Sequence, residues 1–231
     1  RQVWDSVDCI SDLFEQAARN CLSLQGRWMT RFELQRTRRF ERRLLSCFDR
    51  VLVTSEVDRR AFERLSGGAG SLSHGVHVLP NGVDLEYFRP SLKPRETNVI
   101  LFSGKMSYHA NVSAVLYFVR EVLPRVWRDR PDVRFWVVGS NPPREIRALE
   151  SNGAIRSRTG RNISSGSRIL VTGFVPDIRP FLSRATIAAA PLTYGAGIQN
   201  KVLEAMASGT PVVASPTAAA GLQVQPNRNI L

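Results

Sequence analysis

Apolar positions along this chain follow two rhythms that take turns. Short apolar runs bounded by Gly, Pro, Asn or Ser predict strands at residues 3–9, 50–55, 76–79, 98–102, 133–138, 169–172, 186–190 and 212–215. Between them, apolar residues three and four apart predict a long helical region up to about residue 48, then helices over 58–65, 112–129, 144–150, 178–184 and 198–208. Strands separated by helices build a parallel, doubly wound α/β sheet, because a parallel connection needs a crossover that a helix supplies. Ligand sites in such sheets gather outside the carboxyl ends of the strands. Here those ends read S-G-K at 103–105, V-G-S-N at 138–141, G-F-V-P-D at 173–177 and P-L-T-Y-G-A-G at 191–197. Glycines and two lysines therefore converge on one edge.

The richest stretch runs from residue 186 to 215. Ile198, Val202, Ala205 and Met206 fall on one helical face, which predicts packing against a sheet, and Lys201 and Glu204 share the neighbouring face. Gly195 and Gly197 loosen the turn that enters this helix. Such a loop aims backbone N–H groups at one point and adds the positive end of the helix dipole, which suits a phosphate, and Lys201 adds a point charge. Glu204 is set in L-E-A-M-A, where burial without a partner would be costly. A diol such as a ribose, donating two hydrogen bonds, would resolve that cost. An ordinary crossover helix with a surface Lys/Glu pair reads equally well from these residues alone.

Gly/Ser-rich residues 67–75 predict a flexible loop, P-N-G-V-D at 80–84 a tight turn, and residues 89–96, with two prolines and four charges, a linker. This places a first domain over 1–92 and a second over 93–231. Residues 151–167 are polar and basic and read as a mobile loop.

Composition narrows the classes. The chain has 231 residues, 43% of them hydrophobic, without an apolar run long enough to span a bilayer. It shows neither a leader pattern nor an initiator Met, so the expectation is a soluble, cytoplasmic chain that begins partway through a longer protein. Cys9, Cys21 and Cys47 lack metal-ligand spacing, and no metal site is predicted. A net charge of +12 implies an anionic partner. Only three of the 32 basic residues are lysines, Lys93, Lys105 and Lys201, which hints that a compact charge is wanted where Lys stands. Arg27, Arg31, Arg36, Arg38, Arg39, Arg42 and Arg43 crowd one helix beside Trp28, Phe32, Phe40 and Leu44. That helix reads either as a solvated face with one packed stripe or as a peripheral contact with anionic lipid on the inner face of a membrane. Nucleic-acid binding is not indicated, because no helix-turn-helix, zinc or RNP pattern accompanies the arginines. A dinucleotide oxidoreductase is disfavoured: G-A-G-I-Q-N lacks the third glycine and no acidic residue ends the following strand.

Taken in order, P-N-G-V-D, the linker, F-S-G-K, V-V-G, G-F-V-P-D and G-x-G-x-x-x-K-V-L-E-A-M-A-x-G-x-P-V-V-A resemble the family 4 (group 1) glycosyltransferases of the GT-B fold. Within that family they are most similar to sugar transferases associated with exopolysaccharide and PEP-CTERM gene clusters. The resemblance implies two Rossmann-like domains with parallel sheets, the N-terminal one only partly present and the C-terminal end truncated. It implies a retaining transfer of a sugar from a nucleotide-diphospho-sugar to a glycan or lipid-linked acceptor, with no bound cofactor or metal. Lys105 and Lys201 would then meet the departing diphosphate, Glu204 the ribose, Gly104, Gly195 and Gly197 the phosphates, Gly139 the nucleoside pocket and Val175 the base. Asn81 and Gly82 would lie on the acceptor side. An epimerase or phosphorylase-like reaction on the same fold is the alternative. The family's first Glu, eight residues before the ribose-binding one, is replaced here by Ala196, and His74, His77 and His109 match no catalytic position.

Overall fold

The computed structural model describes residues 2–20, 24–67, 75–151, 155–156, 162–163 and 168–231. In chain order the elements are β1 (Val3–Val7), α1 (Ile10–Asn20), α2 (Leu24–Cys47), β2 (Arg50–Val53), α3 (Glu56–Ser66), β3 (Val76–Val78), β4 (Val99–Ser103) and α4 (His109–Tyr117). They continue with α5 (Leu123–Asp129), β5 (Arg134–Val138), α6 (Arg144–Ser151), β6 (Ile155–Arg156), β7 (Asn162–Ile163), β8 (Ile169–Gly173), α7 (Arg179–Arg184), β9 (Ile187–Ala190), α8 (Asn200–Ala207), β10 (Val212–Ala214) and α9 (Pro216–Ala219). Two compact units emerge. One comprises Arg1–Gly82 with Tyr194–Gln199 and Pro216–Gln223; the other comprises Val83–Thr193, Asn200–Ser215 and Val224–Leu231.

The first unit is a parallel sheet in the order β1-β2-β3. Val51, Val53, Ala61, Phe62, Leu65 and Val76 form its core, with the Trp4 ring set edge-on to Phe62. The helix α3 has a full set of end signals: Ser55 Oγ accepts the Asp58 N–H at 3.1 Å, and Gly67 closes the other end at φ 102°. Glu41, almost fully buried within the arginine-rich α2, accepts the N–H groups of Ile10 and Ser11 at 2.9 and 3.3 Å and so caps α1. Leu34, Glu41 and Leu45 are therefore the packed stripe of α2. Trp28, Phe32 and Phe40, the aromatics from which the stripe was expected, point the other way and are 70%, 54% and 62% exposed.

The second unit is a five-stranded parallel sheet in the order β10-β9-β4-β5-β8. All five residues of the central β4 are buried, as expected of a strand covered by helices on both faces. The helix expected over 112–129 is instead α4 and α5 joined by a π-helical segment, Phe118–Val122. Pro124 explains it: proline has no N–H to give and its ring would strike the carbonyl a turn earlier, so the ladder shifts by one residue. The segment expected to be a loop over 151–167 starts with the last residue of α6 and contains a two-residue antiparallel pair, β6 with β7, while residues 152–154, 157–161 and 164–167 lie outside the described residues. So do residues 68–74 of the expected Gly/Ser loop, His74 among them.

Two details set up the site. From the predicted linker, Arg95 donates to the carbonyls of Leu182 (3.1 Å), Ser183 (3.2 Å), Ala185 (3.0 Å) and Gly209 (2.8 Å) and to Thr210 Oγ1 (3.1 Å). One guanidinium thus satisfies the open carboxyl ends of α7 and α8 together. The helix α8 itself starts at Asn200, two residues later than its apolar spacing suggests. Gly197 turns the chain at φ 64°, Gln199 folds back to donate to Ala196 O at 3.0 Å, and Ile198 stays outside the helix.

Candidate nucleotide-binding site

The carboxyl edge of the second sheet is stitched together by its own backbone. Gly104 N–H donates to Val138 O (3.0 Å), Met106 N–H to Ser140 O (2.8 Å) and Gly139 N–H to Gly173 O (3.2 Å). The loops that leave β4, β5 and β8 are therefore registered against one another. Gly139 has to be glycine for this to happen, since a Cβ there would lie 1.8 Å from Gly104 O. The S-G-K and V-G-S motifs are two halves of one backbone contact.

Above this edge lies a cavity of about 390 Å³ lined by Gly104, Lys105, Gly139, Val175, Lys201 and Glu204, six of the residues singled out in the sequence. Asn111, Ser140, Phe174, Ile178 and Asn200 add to its wall. Lys105 is exposed, and among the described residues its ammonium has no hydrogen-bond partner. Lys201 is set deeper. Its Nζ lies 4.9 Å from the centroid of the Phe102 ring and donates to Asn111 Oδ1 at 2.5 Å. Burial lowers its pKa from 10.5 to about 8, and the nearby Glu204 carboxylate pulls it part of the way back.

Glu204 shows the mirror image. Burial pushes its carboxyl up, Lys201 pulls it partly down, and among the described residues nothing hydrogen-bonds to it. Burial outweighs mutual attraction for both groups, so neither charge is fully offset by the other. Such a site is primed for an anion beside the ammonium groups and for hydroxyl donors beside the carboxylate.

Gly195 and Gly197 do not line this cavity. They belong to the first unit, where Gly195 N–H donates to Gln16 Oε1 (3.1 Å) and Gly197 N–H to Asp58 Oδ2 (3.2 Å). The phosphate-facing N–H groups expected of this loop are thus occupied by side chains. Gly197 also has no room for a substituent, since a Cβ there would lie 1.9 Å from Asp8 Oδ1. Asn81 and Gly82 follow β3 in the first unit. His77 and His109 are exposed and do not line this cavity.

A larger cavity of about 580 Å³ opens in the first unit between α1, α2 and α3. It is rich in charge, but its charges already answer one another: Arg38 pairs with Glu15 at 2.5 Å and Arg64 with Asp12 at 3.2 Å. Of these two cavities, it is the smaller in which a carboxylate, that of Glu204, and an ammonium, that of Lys105, have no hydrogen-bond partner among the described residues.

A parallel sheet with its glycine loops and cations at the carboxyl edge defines the class, and solved structures place it. The crystal structure of Anabaena Alr3699/HepE in complex with UDP superposes with a TM-score of 0.63 at 19% identity, covering 96% of this chain and 55% of that one. This is the α/β fold of the GT-B glycosyltransferases. The family model described as Glycosyl transferases group 1 matches residues 97–231, and the chain belongs to that family. Among curated proteins, the phosphatidyl-myo-inositol mannosyltransferase of Mycobacterium tuberculosis is 28% identical over 170 residues, which is 72% of this chain and 40% of the relative. The D-inositol 3-phosphate glycosyltransferase of a Nocardioides species is 25% identical over 189 residues, covering 76% and 40%. The chain spans about 40% of the length of these curated relatives.

Proposed function

We propose that the chain is the donor-binding part of a glycosyltransferase that moves a sugar from a nucleotide-diphospho-sugar to a glycan or lipid-linked acceptor, with retention of configuration. The observation that carries the reading is Glu204, a partly buried carboxylate without a hydrogen-bond partner among the described residues, beside the ammonium groups of Lys105 and Lys201. A ribose diol would donate to the carboxylate while the attached diphosphate met the two lysines, so one ligand would answer both deficits. Phe174, 77% exposed at the rim beside Val175, offers a ring for the base to rest on.

In this reading, negative charge grows on the diphosphate as the sugar departs, and Lys105 and Lys201 rather than a bound metal offset it. The relatives' names support transfer over epimerisation or phosphorolysis: one is a mannosyltransferase, the other a glycosyltransferase, and both names specify inositol-containing compounds. The neighbour crystallised with UDP supports a nucleotide donor. The outward face of α2 supports a peripheral place on an anionic, inner membrane face, where a lipid-linked acceptor of polysaccharide assembly would be met. No helix among the described residues is long and apolar enough to cross a membrane.

The test is a thermal-shift panel of UDP, GDP, ADP and their nucleosides, followed by transfer from the matching labelled sugar nucleotide. A ligand that binds only the folded chain raises its melting temperature by mass action. At least one nucleoside diphosphate should do so more strongly than its nucleoside. A panel with no response at millimolar ligand would overturn the reading.

A further inference from the structure

Asn111 is a polar residue of the cavity that the sequence did not single out. It stands in the first turn of α4, is 4% exposed, and uses both ends of its amide. Nδ2 donates to Lys105 O at 2.9 Å, and Oδ1 accepts from Lys201 Nζ at 2.5 Å. Gly104 makes room for it, since a Cβ there would lie 2.8 Å from Nδ2 and 3.3 Å from Lys201 Cε. One side chain therefore fixes the loop that carries Lys105 and the ammonium of Lys201, two groups almost a hundred positions apart in the sequence.

We propose that Asn111 is a positioning residue that registers both lysines for the diphosphate of the donor, and that its being a neutral amide rather than a carboxylate keeps the charge of Lys201 available to that ligand. The proposal rests on reading the cavity as a donor site. Chemistry explains the choice of residue. A carboxylate here would form an ion pair with Lys201, cancel its charge and repel a diphosphate. An apolar side chain would leave the ammonium without an acceptor and Lys105 O without its side-chain donor. An amide orients both groups and neutralises neither. The other charged groups lining the cavity are Glu204, on the same helix as Lys201, and Lys105, on the loop after β4. The loops after β5 and β8 face it with Ser140, Phe174, Val175 and Ile178, none of them charged, and His109 of α4 is not part of the lining.

The chain has only three lysines, so isotope labelling of lysine Cε gives three signals, assigned by Lys→Arg variants. Their titration is followed in the wild type, Asn111→Ala and Asn111→Asp, without ligand and with inorganic pyrophosphate. Both variants lose the bond to Lys105 O, and only the second adds a charge. The Lys201 midpoint should fall in Asn111→Ala and rise by about one pH unit or more in Asn111→Asp. A purely structural residue would move both the same way. Pyrophosphate should shift the Lys201 signal in the wild type and bind roughly tenfold more weakly to both variants at neutral pH. Midpoints that stay together, or equal pyrophosphate binding by all three chains, would overturn the proposal and leave the donor site standing. A wild-type Lys201 signal that ignores pyrophosphate would instead overturn the donor reading, and this proposal with it.

Discussion

Glu204 costs stability where it stands, and that cost makes it testable. A Gln in its place keeps shape but replaces two charge-assisted hydrogen bonds to a diol by weaker ones, so Glu204→Gln should lose roughly 1.5–3 kcal/mol of nucleotide affinity by calorimetry. It should not lower the melting temperature, because an unpaired carboxylate is being removed. If Lys105 and Lys201 meet the departing diphosphate as proposed, Lys105→Ala and Lys201→Ala should reduce turnover of the intact enzyme more than donor affinity, because that charge would grow toward the transition state. Equal losses in both parameters would reduce the lysines to plain binding groups. Lys201 also fixes a pH dependence. With its pKa held near 8, it is charged below that pH and loses its proton above it, so diphosphate affinity should be full below pH 8 and decline as pH rises through 8. Its stability linkage runs the other way: the unfolded chain holds that proton more tightly, so the cost of the buried charge is constant below pH 8 and fades between 8 and 10.5. At this scale the sequence was informative where chemistry contradicts context, as in a glutamate among apolar residues or scarce lysines among arginines. Asn111 gave no such sign, because an asparagine early in a helix is ordinary and its bond to Lys201 joins residues 90 positions apart.

At the scale of elements, the segment Tyr194–Gln199 departs most from its sequence reading. Its glycines promised a phosphate cradle, yet it is held to the first unit by Gln16, Asp58 and Asp8. Which partner a loop's N–H groups find is decided by tertiary neighbours, and glycine spacing carries no record of them. The same neighbours make a prediction. Burial, helped by the Asp58 charge, raises the Asp8 carboxyl from 3.8 to about 6, with the Thr54 hydroxyl opposing. A folded-state pKa above the unfolded one means that the folded chain binds the extra proton between about pH 4 and 6, so stability falls as pH rises through that window. Asp8→Asn removes the ionised partner and should stabilise the chain at pH 7 by about 1–3 kcal/mol, discounted because Asp8 is only half-buried, with little gain at pH 4. Urea melts of both chains at the two pH values would measure it, and an equal shift at both would rule the charge pair out as the cause. Elsewhere, element boundaries failed where a local rule was outweighed. The single helix expected over 112–129 overlooked Pro124, which ends one ladder through the π-helical segment and is tolerated in the first turn of the next helix. In α2 the apolar spacing pointed to Trp28, Phe32 and Phe40, whereas Leu34 and Leu45 with the capping Glu41 took the inside.

For the whole molecule, the alternation of strand and helix was enough to give a parallel α/β sheet, because crossover handedness and burial on both faces leave few other solutions, and the edge it pointed to is the one that carries the candidate cavity. The strand order was not legible in that rhythm: β4 lies at the centre between β5 and β9, a choice made by packing between distant segments. Charge is the other whole-molecule property, and with +12 it needs a destination. The outward face of α2 is the one proposed above. Trp28 stacks on Phe32 at 6.2 Å between ring centroids, Arg36 lies 5.8 Å from the Phe32 centroid, and Arg39, Phe40 and Arg43 continue the same exposed side. Exposed aromatic rings interleaved with guanidinium groups suit the headgroup layer of an anionic bilayer, where rings reach the acyl boundary while arginines stay with phosphates. Sedimentation with vesicles of phosphatidylglycerol and phosphatidylcholine should show binding that increases with the anionic fraction and weakens from 50 to 500 mM salt, as the Debye length contracts. Trp28→Ala with Phe32→Ala should reduce binding at every salt concentration, whereas Arg39→Gln with Arg43→Gln should flatten the salt dependence. These two signatures separate insertion from electrostatic attraction. Binding that is indifferent to lipid charge at low salt would leave the arginine-rich face of α2 as a solvated surface and overturn the proposed membrane contact.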